Sequence, residues 1–153
     1  MIAFKRRAGL SWLCGTAVLA TGLLANPAVQ AENIKVEAKL IWGTNDEKSP
    51  HPMHKPVDEA TAEKLRRVFK WKNYFLEKQE TVDIPSRQTR TVRLSKDCEV
   101  EITELPSSPI QVKLIGKGKV VNKTTKPLVK GELFVLGGDD ANQSAWFVVI
   151  EQK

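Results

Sequence analysis

The sequence predicts a mostly β domain, an antiparallel β-sandwich or small barrel with one early helix, behind a cleaved export signal. Three observations carry this expectation. Apolar residues recur at period two in several short stretches, turn-forming residues separate those stretches, and a single stretch from Asp58 to Lys70 has its apolar residues at spacings of three and four. Helices that do not alternate with the strands argue against a parallel α/β sheet.

Lys5, Arg6 and Arg7 form a positive end, an apolar run extends from Leu10 to Ala25, and Val29-Gln30-Ala31 offers small residues at the −3 and −1 positions of a peptidase site. The run is short and interrupted by Gly15, Thr16 and Thr21, which suits a cleaved signal better than a permanent membrane anchor. Cys14 follows Trp12-Leu13 too early in that run for a lipid-modified cysteine, and Ala8-Gly9 after Arg6-Arg7 suits general secretion better than twin-arginine export. The expected organisation is a signal peptide over 1–31 and one β-rich domain over 32–153, located in the periplasm or outside the cell.

Ile34, Val36, Ala38, Leu40 and Trp42 alternate with polar residues, a half-buried strand. From Gly43 to Pro56, three prolines and several small polar residues predict an irregular loop. Asp58 is the expected helix N-cap, with Glu59 and Glu63 near the positive end of the helix dipole and an apolar stripe of Ala62, Leu65, Val68 and Phe69. The helix is expected to cover a sheet face or plug an open end.

Tyr74, Leu76, Val82 and Ile84 share one parity, which Lys78 and Glu80 interrupt, predicting an edge strand or a bulge. Pro85-Ser86 starts a turn; Val92 and Leu94 mark a strand, and Cys98, Val100 and Ile102 the next. After the turn at 105–109, Ile110, Val112 and Leu114 alternate, and Gly116 and Gly118 are read as a bulge in one long strand reaching Val121. Leu133–Leu136 and Trp146–Ile150 are near-continuous apolar runs joined by a hairpin connection over 137–142. Trp42 and Trp146 are expected in the core.

The segments Leu40-Ile41-Trp42-Gly43-Thr44, Val68-Phe69-Lys70-Trp71-Lys72, the Gly-Gly-Asp turn at 137–139 and Trp146-Phe147-Val148-Val149 together resemble small exported bacterial proteins of unknown function. The resemblance spans most of 32–153. It implies a small secreted domain and assigns no functional residue.

Charge and cysteine content narrow the function classes. The first 31 residues hold three basic and no acidic residues, so their removal lowers the net charge from +6 to +3. That is an ordinary solubility charge, and an exported chain does not meet nucleic acid. Removal also leaves Cys98 as the single cysteine, which excludes an intramolecular disulfide. Cys98 shares the parity of Val100 and Ile102 and is expected to be a buried, unreactive core residue.

His51, Met53 and His54 share the proline-rich loop, and two imidazoles beside a thioether are a ligand set suited to copper or zinc. A blue-copper centre is excluded, because no histidine or methionine follows Cys98. Asp139, Asp140 and Asn142 are oxygen donors, but turn chemistry accounts for them better than calcium does. Trp71, with Arg66, Arg67 and Lys70, would form a basic-aromatic patch for an acidic partner if its ring were exposed. No nucleophile elbow, zinc-protease or phosphate-loop motif occurs, and no catalytic or cofactor-binding residue is assigned. The leading expectation is an exported, non-enzymatic binding or structural domain acting on a protein or envelope component. The competing one is a metal-assisted hydrolase, or a copper- or zinc-binding protein, built on His51 and His54.

Overall fold

The computed structural model describes residues 33–139 and 143–153. The proposed export signal and the candidate oxygen ligands Asp140 and Asn142 lie outside them. Nine strands and one helix follow in order: β1 (Ile34–Thr44), β2 (Lys55–Pro56), α1 (Glu59–Arg66), β3 (Asn73–Ile84), β4 (Thr89–Arg93), β5 (Cys98–Glu104), β6 (Pro109–Gly116), β7 (Lys119–Pro127), β8 (Phe134–Asp139) and β9 (Ala145–Gln152). They form two antiparallel sheets, one ordered β2-β3-β1-β9-β8 and the other β4-β5-β6-β7. The sheets pack face to face as a sandwich, with no closed barrel.

The period-two pattern of the sequence builds the space between the sheets. Val36, Ala38 and Leu40 from β1, with Val148 and Ile150 from β9 and Phe134 and Leu136 from β8, meet Val100 and Ile102 from β5 and Ile110, Val112 and Leu114 from β6. The alternate residues of β1 and β9 point the other way. There Ile41, Phe147 and Val149 form a second core with Ala62 and Leu65 of α1, so the helix covers the outer face of the larger sheet. Both faces of β1 and β9 are thereby buried, which matches the near-continuous apolar run of β9.

The helix starts where Asp58 caps it: Oδ1 accepts from the Thr61 N–H at 2.9 Å and Oδ2 from the Thr61 hydroxyl at 2.8 Å. It ends at Arg66, earlier than the apolar spacing predicts. Val68 lies beyond the last turn and is 74% exposed, so it does not belong to the buried stripe.

The parity break in β3 is a bulge. Leu40 pairs with Lys78 and Ile41 with Leu76, which leaves Glu77 as the extra residue. The expected long strand through Gly116 and Gly118 is instead the β6–β7 hairpin. Lys117 (φ 49°) and Gly118 (φ 74°) both take the left-handed conformation, as a two-residue turn between antiparallel strands requires. Asn-Gly and Asp-Gly are the usual pairs in such a turn; Lys-Gly serves here because glycine takes the second left-handed position. A bulge does exist nearby, at Leu114/Ile115 against Val120/Asn122.

A buried ion cluster sits on the outer face beside the helix. Glu37 and Lys39 are both almost wholly buried, and their Oε2 and Nζ lie 2.9 Å apart. Lys153 Nζ lies 2.8 Å from the same Oε2, and Gln79 Nε2 donates to Oε1 at 2.7 Å. Oε2 has no well-directed hydrogen bond; two ammonium groups compensate it by charge.

Candidate functional site

The row of core-facing residues shared by β1 and β9 runs Val36↔Gln152, Ala38↔Ile150, Leu40↔Val148 and ends at Trp42↔Trp146. At that end the two sheets part. The smaller sheet contributes the Cys98↔Gly116 pair, the turn carrying Ser95 and Asp97, and Lys117. The result is a pocket of about 360 Å³ with Trp42, Trp146, Leu40, Val121 and Cys98 on its walls and Glu77 and Asp97 among its polar groups.

Each wall is fixed by local structure. The β3 bulge puts Glu77 at the pocket, and the Lys117 N–H donates to the Asp97 carbonyl at 2.8 Å, tying the two turns of the smaller sheet together. Trp42 and Trp146 are half-buried where full burial was expected: Trp146 packs against the inter-sheet core, and both indoles line the pocket. Gly116 carries no side chain that would fill the space between Cys98 and Val121. The pocket is therefore a largely apolar slot with a polar rim, suited to holding an apolar or aromatic group by burial and stacking.

Cys98 is buried at this pocket, as the parity of β5 predicts. Burial pushes its thiol up to about 11, with Glu77 and Glu99 adding in the same direction, so the sulfur is a protonated, weakly nucleophilic wall group at neutral pH.

The patch expected around Trp71 does not form as an exposed aromatic surface. Trp71 is only 5% exposed; its ring packs edge-on against Phe147, and its Nε1 donates to the Gln143 carbonyl at 2.9 Å. Phe147, invisible as an anchor in the sequence, also holds Phe69 and Tyr74, with ring centroids at 4.5 and 6.1 Å. Arg66 pairs with Glu59, and Arg67 lies 3.8 Å from Glu63, so these cations face acids of their own helix. Lys70 Nζ lies 4.9 Å from the Trp71 ring centroid. What looked like a basic-aromatic surface is a tryptophan anchor under the turn that follows α1.

The loop before β2 brings His51 and His54 together, with ring centroids 4.9 Å apart and tilted by 57°. His54 Nδ1 is engaged by the Ser49 hydroxyl at 2.7 Å, and burial holds its pKa below the ordinary 6.5, against the opposing pull of Glu77. The neutral ring that results is the form that binds metal. Met53 is 84% exposed. Among the described residues, no group of three or more His, Cys, Asp or Glu side chains is placed to hold a metal ion. Among them, too, no helix is long and apolar enough to cross a membrane.

In comparison with known proteins, the chain matches no family model, no curated protein and no solved structure.

Proposed function

We propose that this protein is an exported binding domain that engages a protein or envelope component through the open end of its sandwich. The observation that carries this reading is the cross-strand pair Trp42 and Trp146, both only partly buried, on the walls of an apolar pocket of about 360 Å³. Two adjacent indoles left partly in water are a large unspent apolar area, and such rings are frequent anchors of recognition. The pocket's size suits one bulky apolar side chain or ring of a partner.

The test is a titration with small aromatic probes, indole and p-cresol, followed through the tryptophan indole N–H resonances. Movement of the Trp42 and Trp146 signals with Trp71 unmoved is expected, together with loss of binding in Val121→Trp, which narrows the pocket. Equal movement of all three signals, or none, would remove the reading.

A second reading is a copper- or zinc-binding loop, including its use in metal-assisted hydrolysis, and the 4.9 Å approach of His51 and His54 favours it. Two imidazoles and Met53 would leave positions for solvent or a partner's ligand. Calorimetric titration with copper or zinc should then show one site that disappears in His51→Ala/His54→Ala. Binding that survives the double substitution refutes this loop as the site.

A further inference from the structure

Four strands of this sandwich lie at sheet edges, and three of those edges are defended. β2 is two residues long and includes Pro56, β4 carries Arg90 and Arg93, and β7 carries Lys119, Lys123 and Lys126 and ends at Pro127. Short length, charge and proline are the usual protections against a foreign strand. β8 differs: it reads Phe134-Val135-Leu136-Gly137-Gly138 before Asp139, with no charge and no proline along those five residues. It pairs with β9 on one side, and no backbone hydrogen bond among the described residues reaches its other side. Gly137 is held to glycine by close approach, since a Cβ there would stand 2.5 Å from the Trp146 carbonyl oxygen.

The space beside this edge is a cleft of about 500 Å³. Phe69 and Trp71 line it on the outer-face side, and Asn122, Thr124 and Lys126 of β7 line it on the smaller sheet. The row of β7 that shares the face of the β6 core residues is polar: Asn122, Thr124 and Lys126 stand opposite Leu114, Val112 and Ile110. The charge there has one sign. Residues 117–130 include five lysines and no acidic residue. None of these lysines forms an ion pair among the described residues, and Lys126 Nζ sits 4.3 Å from the Phe134 ring centroid.

We infer that the β8 edge is the docking site for an extended, acidic segment of a partner protein, which joins the larger sheet as a further strand beside β8. Backbone groups of β8 that lack partners would bind the segment's backbone, the mode by which sheet edges capture peptides. Alternate side chains of a strand point to opposite faces, so carboxylates at every second position would meet Lys126, Thr124 and Asn122, while the residues between them cover Phe69 and Trp71. A second copy of this chain is the wrong occupant: pairing two β8 edges about a two-fold axis brings two lysine-bearing β7 strands together. The inference is independent of the tryptophan pocket.

The test uses the purified protein and a capped peptide of alternating Val and Glu, with amide hydrogen exchange of β8 read by NMR. Slower exchange within Phe134–Gly138, binding that weakens as salt rises, and roughly tenfold weaker binding in Lys126→Glu are expected. The Val-Lys peptide should not bind, and the Val-Glu peptide N-methylated at alternate amides should lose binding with no change to the protein. Equal binding of the N-methylated peptide, or binding without protection of β8, would overturn the inference. So would binding to anionic phospholipid vesicles in place of the peptide.

Discussion

Trp42 and Trp146 stand opposite each other across the β1–β9 ladder, and they end the row of residue pairs that fills the sandwich. The Ala38↔Ile150 and Leu40↔Val148 pairs before them are buried; this one is only partly buried and lines the pocket. The same strand parity that builds the core thus delivers two indoles to the walls of the pocket at its end.

The partly buried pair should matter less to stability than the fully buried rings. Trp42→Ala or Trp146→Ala is expected to cost about 1–2 kcal/mol, since each ring faces a pocket and is not enclosed by packed side chains on all sides. Phe147→Ala, which empties the centre of the outer core, should cost about 3–5 kcal/mol. Urea denaturation of the three variants gives the order directly. A Trp42 substitution as damaging as the Phe147 one would mean that the indole pair is structural.

The buried Glu37 sets an acid limit to stability. Burial pushes its carboxyl up, but the Lys153 and Lys39 ammonium groups outweigh burial and hold it below the ordinary 4.5. A carboxyl whose folded pKa lies below its unfolded one gives stability that is complete above the unfolded value and lost as pH falls through the folded one. Unfolding free energy should therefore decline on acidification below about 4.5 and decline less steeply in Glu37→Gln. Part of the slope will remain, because Asp58 also titrates low: burial raises its carboxyl, and the Thr61 hydrogen bonds and Lys39 outweigh that. Identical acid limbs in the two proteins, measured by denaturation across that range, would rule out the Glu37 contribution.

Cys98 should react slowly in the native protein. A thiol pushed up from 9.0 to about 11 has roughly a hundredfold less thiolate at pH 8, before burial slows access further. Alkylation by iodoacetamide should be complete in denaturant within a time that leaves the native protein unlabelled. Fast native labelling would place the sulfur at the surface.

Helix α1 should depend on its cap and on one side chain. Asp58→Ala removes both hydrogen bonds to Thr61 and should cost about 1 kcal/mol. Leu65→Ala leaves a cavity against Ile41 and should cost about 2–5 kcal/mol. Exchange of the helix amides, compared with those of β5, would locate the effect. Uniform loss across both elements in Asp58→Ala would show that the cap acts on the whole fold and not on the helix.

Export predicts a defined product. Mass spectrometry of protein recovered outside the cytoplasm is expected to find Glu32 first, after cleavage at Ala31. Recovery there with Met1 intact would contradict the cleavage site.

Much of this architecture was legible in the sequence because its physical basis is local. Alternation of Val100 and Ile102 with glutamates states which face of β5 turns inward, and Asp58 followed by Glu59 and Glu63 states where a helix begins. The buried state of Cys98 followed from the same alternation. Lys117-Gly118 was misread because a tight turn needs only a left-handed backbone, which dipeptide rules capture incompletely.

What only the tertiary structure decided is which apolar residues would be covered and by what. In sequence Trp42 and Trp146 read as core and Trp71 as the candidate surface ring, yet Trp71 is sealed by Phe147 and bonded to the Gln143 carbonyl, while the other two are partly buried on the walls of a pocket. The place of β8 at a sheet edge among the described residues is likewise a property of strand order, since nothing in Phe134–Asp139 states which strands flank it. Local pattern fixes which face of a strand is apolar; burial depends on a second surface contributed by residues far away along the chain, and that surface exists only after the sheets have assembled.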